Sequence, residues 1–171
     1  MAVLDQSYET GADQEHNFRY NVGNNEHAQG FKPTYNDVTS VSLYLKKVAA
    51  PTGNIYVQIQ SDSAGAPSNV SLGQSANIDV STLSTSYAWI DFTFASPVTV
   101  TPSTQYHIVL FGTFAIDSTN WVRWDTDGSS PTYADGSHAY RGTGAWTTDT
   151  TYDNYFRTYA TPRASSFFLF L

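Results

Sequence analysis

The sequence predicts an all-β protein that folds as an antiparallel two-sheet β-sandwich with jelly-roll connectivity. Apolar and polar residues alternate at a period of two along much of the chain, whereas helical periodicity is nearly absent. The alternating segments recur at spacings of about 8–15 residues with turn residues between them, a pattern typical of sandwiches and barrels. About nine or ten strands are expected, enough for two packed sheets.

The first predicted strands each present one apolar face. Segments 41–46 and 55–60 place three aliphatic side chains on one face and mainly polar or aromatic side chains on the other. The linker 50–54 is expected to join them as a hairpin. Segment 89–94 alternates in the same way. The residues expected in the core are Ile55, Val57, Ile59, Ile90, Phe92, Phe94, Ile108 and Leu110.

The later strands differ in how they are covered. Segment 106–111 is apolar on both faces, which predicts a central strand with neighbours on each side and cover above and below. Pro97 and Pro102 flank the short segment 98–100, and proline in such a place favours an edge strand. The remaining strands are predicted at 121–125 and 152–159.

Composition indicates one domain, residues 1–171, at an extracellular or virion surface. Charged residues make up 13% of the 171 residues, against about 25% in typical soluble domains, and cysteine is absent. The net charge of -7 leaves no basic stripe for nucleic acid. Residues 1–5 lack the features of a signal peptide, and no apolar run is long enough for membrane insertion. The N-terminal segment 1–15 and the C-terminal tail 160–171 are possible assembly arms.

No catalytic motif is evident, so the protein is not expected to be an enzyme. The sequence contains no G-x-S-x-G, no H-E-x-x-H and no phosphate-binding glycine loop. Its four histidines are scattered along the chain, at His16, His27, His107 and His138. Of these, His107 lies in a predicted strand and is interpreted as a hydrogen-bonded structural residue.

Calcium is the one cofactor that the sequence suggests. Asp125 and Asp127 precede a glycine, as in the first part of a calcium loop, because alternate carboxylates can converge on a hard cation. The favoured alternative is a hairpin turn with Asp127 and Gly128 at its tip.

Several aromatic residues are candidates for stacking on a glycan, because an exposed ring offers a flat apolar face to a sugar. Alternation places Trp121 and Trp124 on opposite faces of one strand, and Trp124 is assigned to the core. Trp146 follows a glycine-rich loop and is the best exposed candidate. The full set of candidate glycan-binding residues is Trp121, Tyr133, Tyr140 and Trp146.

The chain ends in five consecutive apolar residues, Phe167, Phe168, Leu169, Phe170 and Leu171. As a strand this tail would place side chains on two faces, so that one domain surface could bury only half of them. Burial of an exposed Phe or Leu stabilises a contact by about 1.5–3 kcal/mol. The tail is therefore predicted to lie in a contact between subunits.

The order of several short motifs resembles one family of β-sandwich domains. The motifs lie at 28–33, 41–46, 51–53, 55–60, 63–68, Trp89, 106–110, 133–136, Trp146, Asp153 and Phe156. Together they resemble the sandwich domain of bacterial choice-of-anchor surface proteins and of phage tail and virion proteins, which is akin to carbohydrate-binding modules. The resemblance implies a non-catalytic structural or adhesive module. By analogy with some jelly-roll modules, it also implies a calcium site joining Asp153 to Asp5 or Glu9. Surface-anchored members carry a C-terminal anchor helix with a basic tail, and residues 160–171 are not expected to form one, so attachment to a cell envelope is not expected.

These observations favour a non-enzymatic structural or adhesive subunit of a virion or an extracellular surface structure, of the phage decoration or tail-fibre type. Its expected partners are further copies of the chain or other structural subunits. The alternative is a lectin-like carbohydrate-binding module whose partner is a surface glycan, and the second alternative is a glycan-processing enzyme.

Overall fold

The computed structural model describes residues 1–162 and confirms the all-β sandwich. Two antiparallel sheets of seven strands each pack face to face. The first sheet contains β1 (Val3–Tyr8), β2 (Gln14–Phe18), β4 (Asp37–Val48), β8 (Ala88–Thr99), β10 (Trp121–Asp127), β13 (Asp153–Asn154) and β14 (Phe156–Ala160). The second contains β3 (Glu26–Phe31), β5 (Asn54–Ser63), β6 (Ala66–Gln74), β7 (Ile78–Asp79), β9 (Tyr106–Gly112), β11 (His138–Arg141) and β12 (Thr147–Asp149).

Strands adjacent in the sheets are mostly distant in the chain. In the first sheet β4 pairs with β8 on one side and with β14 and β10 on the other, and β1 lies beyond β14. In the second sheet β9 lies between β3 and β5, as predicted for the segment that is apolar on both faces. The proline-flanked segment belongs to the end of β8, which is an edge strand, so that prediction is also confirmed.

The core lies between the sheets and follows the predicted alternation. Trp124, Phe92 and Leu110 are fully buried there. Seven of the eight predicted core residues are buried. The exception, Ile90, is half-buried and packs against the core from the edge strand β8, where cover is incomplete.

Two predicted hairpins are wrong, for one reason. The linker 50–54 connects β4 of the first sheet to β5 of the second, and Gly128 begins the connection from β10 to β11, which also changes sheets. Turn residues mark where a strand ends, but they do not say which sheet the next strand joins. Both segments therefore cross between sheets.

The two possible assembly arms have different outcomes. Within the N-terminal segment, β1 pairs with β14 and β2 pairs with β10, so both strands form part of the first sheet. The predicted tail, Phe167 to Leu171, lies outside the described residues. Residues 1–162 contain no helix long and apolar enough to cross a membrane.

Truncation of a central core residue is expected to test the sandwich directly. Leu110→Ala removes a fully buried side chain on β9 and should lower the free energy of unfolding by about 2–5 kcal/mol. Leu4→Ala, at an exposed position on β1, is the matched control and should change it by less than about 0.5 kcal/mol. Urea denaturation measures both; equal effects would contradict the assignment of the core.

Candidate functional site

Three histidines that are distant in the sequence meet between the two sheets. His16 comes from β2 of the first sheet, and His27 and His138 come from β3 and β11 of the second. Each offers a ring nitrogen, and these three atoms lie within 4.8 Å of one another. His27 Nδ1 is 2.9 Å from His138 Nε2, and the rings of His16 and His138 stack with centroids 3.8 Å apart. We call these three residues the histidine cluster.

Burial keeps the histidine cluster uncharged. His27 is 2% exposed and His138 is 1% exposed, whereas His16 is half-buried at the side of the cluster. Burial lowers the pKa of His16 to about 4 and, with repulsion from His16, the pKa of His27 to about 3. Burial also lowers the pKa of His138 well below its usual value. All three imidazoles are therefore neutral at pH 7, with a lone pair on one nitrogen of each ring.

Three ring nitrogens of the cluster lack hydrogen-bond partners although they are buried. These atoms are Nε2 of His16, Nε2 of His27 and Nδ1 of His138. Buried polar atoms are normally hydrogen-bonded, and a native exception calls for an explanation such as a functional role or a bound ion. His107 Nδ1 also lacks a partner, so it is the presence of three such atoms at one place that makes the cluster a functional candidate.

A cavity of about 260 Å³ that is open to solvent is lined by His16 and His27 of the histidine cluster. Its wall is completed by Asn24, Tyr140, Asp149 and Tyr152. The Tyr152 ring packs edge-on against His16, with centroids 5.0 Å apart. The Asp149 carboxylate places a negative charge near the cavity. This charge raises the pKa of His16 and so partly offsets the lowering caused by burial. Small polar ligands can reach the cluster from this side.

The fourth histidine is hydrogen-bonded, as the sequence predicted, and its structural role stays a prediction. His107 Nε2 lies 2.8 Å from the Asp62 carboxylate, and burial lowers the pKa of His107 while Asp62 opposes that shift.

The sequence reasoning missed the cluster because its members lie on three strands of two sheets. The available signal was alternation: His27 precedes the inward residues Gln29 and Phe31 at intervals of two.

The carboxylates predicted to bind calcium are largely engaged by protein groups. Asp127 accepts hydrogen bonds from the Tyr8 hydroxyl at 2.6 Å and from the Ser129 and Ser130 amides. Its cross-strand partner Asp153 accepts one from the Tyr133 amide at 3.0 Å and one from the Gln29 amide group.

The other carboxylates considered for calcium lie in separate settings. Burial raises the pKa of Asp125. Asp5 accepts a hydrogen bond from the Thr34 amide, and Glu9 pairs with Arg157. Within the described chain, the histidines form the only group of three potential ligand atoms this close together. Calcium binding stays a prediction.

The four predicted glycan-binding residues lie on different faces. Trp121 is on the outer face of the first sheet, where its indole donates to Asn17. Tyr133 is in the crossing connection and packs against the core, and Tyr140 lines the histidine cavity. Trp146 packs over the outer face of the second sheet, where its indole donates to Asn69 and Arg141 lies 4.5 Å from its ring centroid.

An aromatic pair without a predicted role lies on the second sheet. Tyr56 and Phe111 are half-buried cross-strand neighbours whose rings stack 5.3 Å apart at 11°. Phe111 and Trp146 both pack against the small buried cluster on the outer face of this sheet. Gln58 lies on the Tyr56 face of β5 and supplies an amide. This face combines flat rings with hydrogen-bonding groups.

The stability of the fold should fall as the pH drops from about 6.5 towards 4. The unfolded histidines titrate near 6.5, whereas the folded pKa values are lower, so the unfolded state binds more protons in this range. Each unit of pKa difference corresponds to about 1.4 kcal/mol. Urea denaturation across the range should show a shallower fall for His16→Gln than for the parent chain. Identical pH profiles for the two proteins would contradict this account of the cluster.

Comparison with known proteins assigns no family to the chain. No protein-family model matches it, and no curated protein matches its sequence. The sandwich fold therefore rests on the arrangement of the strands, and the functional assignments rest on the geometry of the sites described above.

Proposed function

We propose that the protein is a non-enzymatic structural or adhesive subunit that associates with further copies of itself in an extracellular or virion assembly. The observation that carries this proposal is the edge strand β6, Ala66–Gln74, which contains no charged residue. Val70 is 58% exposed on it and Leu72 is 43% exposed. The two residues are separated by one position and form an apolar strip on the edge.

An edge of this kind favours strand addition. Proteins usually protect an edge strand with charges, prolines or bulges, because its unpaired backbone groups can bind another strand. β6 has Pro67 and irregular pairing with β5, but no charge. Beside it, a groove of about 510 Å³ runs between Leu72 and segment 94–99 of β8. Backbone hydrogen bonds at the edge and apolar contacts in the groove would act together.

Electrostatics favours this side of the sandwich for contact between identical chains. The chain carries a net charge of -7, so two copies repel each other over most possible approaches. Neither β6 nor segment 94–99 contains a charged residue, and contact there brings no like charges together. The tail from Phe167 to Leu171 is predicted to contribute further apolar contacts. The resemblance to surface and virion modules and the low charged fraction of 13% support the same setting.

Lysine substitutions on the strip should dissociate the assembly. The full-length protein is expected to have a multiple of the single-chain mass by light scattering at micromolar concentration. The double substitution Val70→Lys and Leu72→Lys should give the mass of one chain, because lysine charges on an edge oppose strand addition. Deletion of residues 166–171 should weaken association without unfolding the domain.

The control for this experiment is Val22→Lys. Val22 is 71% exposed, outside β6 and its groove, so its substitution should leave the mass of the assembly unchanged. Circular dichroism should show that all variants stay folded. A single-chain mass for the full-length protein, or an oligomer indifferent to both lysines, would rule out assembly through β6.

A second candidate function is carbohydrate binding, favoured by the stacked Tyr56 and Phe111 rings beside Gln58. Aromatic faces stack on sugars, and nearby amide groups fix the orientation of the sugar hydroxyls. Tyr56→Ala and Trp146→Ala should each reduce binding on a glycan array, whereas Trp121→Ala on the other sheet should not. Failure of the parent chain to bind any glycan on the array would exclude this candidate.

A further inference from the structure

We propose that His16, His27 and His138 form a binding site for one divalent transition-metal ion of the zinc class. This site is independent of the proposed assembly through β6. Imidazole nitrogen is a preferred ligand of zinc, copper, nickel and iron, and three histidines with a fourth open position form a known type of zinc site. The position of the site between the sheets would link β2 of the first sheet to β3 and β11 of the second.

Two of the three ring nitrogens are separated by a distance close to what such an ion requires. Two nitrogens bound to a tetrahedral zinc ion at about 2.0–2.1 Å lie about 3.4 Å apart. His27 Nδ1 and His138 Nε2 are 2.9 Å apart, so the two nitrogens must separate by about half an ångström to reach this spacing. Both rings must also turn, so that their lone pairs converge on the ion and no longer point at each other. In the neutral pair one of these two nitrogens carries the proton of the hydrogen bond. For both to bind the ion, that proton must be released and the same ring must take up a proton at its other nitrogen, His27 Nε2 or His138 Nδ1.

The third ligand needs a side-chain rotation. The rings of His16 and His138 are stacked at 12°, and parallel stacked rings cannot both direct in-plane lone pairs at one ion. His16 must therefore turn about its side-chain torsions. It is the least buried of the three and lines the cavity of about 260 Å³, which provides the space.

The surroundings supply neutral ligands and a nearby negative charge. Metal binding requires the neutral imidazole, and the burial of His27, 2% exposed, and His138, 1% exposed, disfavours the charged form of these rings. Asp149 at the cavity wall supplies a negative charge that would attract the cation. The open coordination position would face the cavity, where water or the Asp149 carboxylate can fill it.

The test is metal titration of the untagged full-length chain, because a polyhistidine tag would bind the same ions. After treatment with chelator and dialysis, calorimetry with Zn²⁺ should show one ion bound per chain. Co²⁺ should produce the visible absorption of a nitrogen-ligated ion and be displaced by Zn²⁺. His16→Gln, at the least buried ligand, should lower the Zn²⁺ affinity at least about tenfold, a loss seen even when groups outside the ligand set are removed.

A matched control uses the one histidine outside the cluster. His107→Gln removes a buried histidine that pairs with Asp62, and it should leave Zn²⁺ affinity and stoichiometry unchanged. His27→Gln provides a second ligand variant, with folding of each protein checked by circular dichroism. Two results would overturn the proposal: the absence of saturable Zn²⁺ and Co²⁺ binding by the parent chain, or binding that folded His16→Gln and His27→Gln retain in full.

Discussion

Burial of one face of each sheet against the other is the interaction on which the whole structure depends. The chain has no cysteine, and its helical content in the described part is a single short turn at Val80–Thr82, so the sheets must stabilise each other. Trp124 is an example of this burial between the sheets. Its ring is fully buried among the core side chains, and its indole nitrogen donates a hydrogen bond to the Tyr155 carbonyl at 2.8 Å. A buried tryptophan is tolerated there because its one polar atom has a partner.

The interior is not uniform along the sandwich. Where β4 and β8 face β5 and β9, the inward positions are aliphatic or aromatic, and the sheets meet as an ordinary apolar core. Where β2 faces β3 and β11, the inward positions include His16, His27 and His138. Buried nitrogens without partners at this end cost stability that an apolar residue would not cost. Such a local departure from the packing rule is the expected mark of a functional site.

Alternation in the sequence was enough to predict the fold class, the central position of β9 and nearly all of the core. These features depend on which face of a strand a residue occupies, and that is a local property. The pairing of strands is not local, so the linker 50–54 and the Asp127–Gly128 turn were wrongly assigned to hairpins. The histidine cluster was missed for the same reason, because His16 and His138 are brought together only by the packing of two sheets.

The pairing of β1 with β14 has a consequence for how the protein is made. Val3 lies opposite Ala160, so β1 must wait for its partner until all the intervening strands have been synthesised. Until then β14 is missing, and both β1 and β4 expose backbone groups that it will later cover. Folds dominated by such distant pairings form slowly, on timescales of about milliseconds to seconds for small domains. The nascent chain therefore passes through a period of exposed strands, in which premature contact with a neighbouring chain competes with correct closure of the sheet.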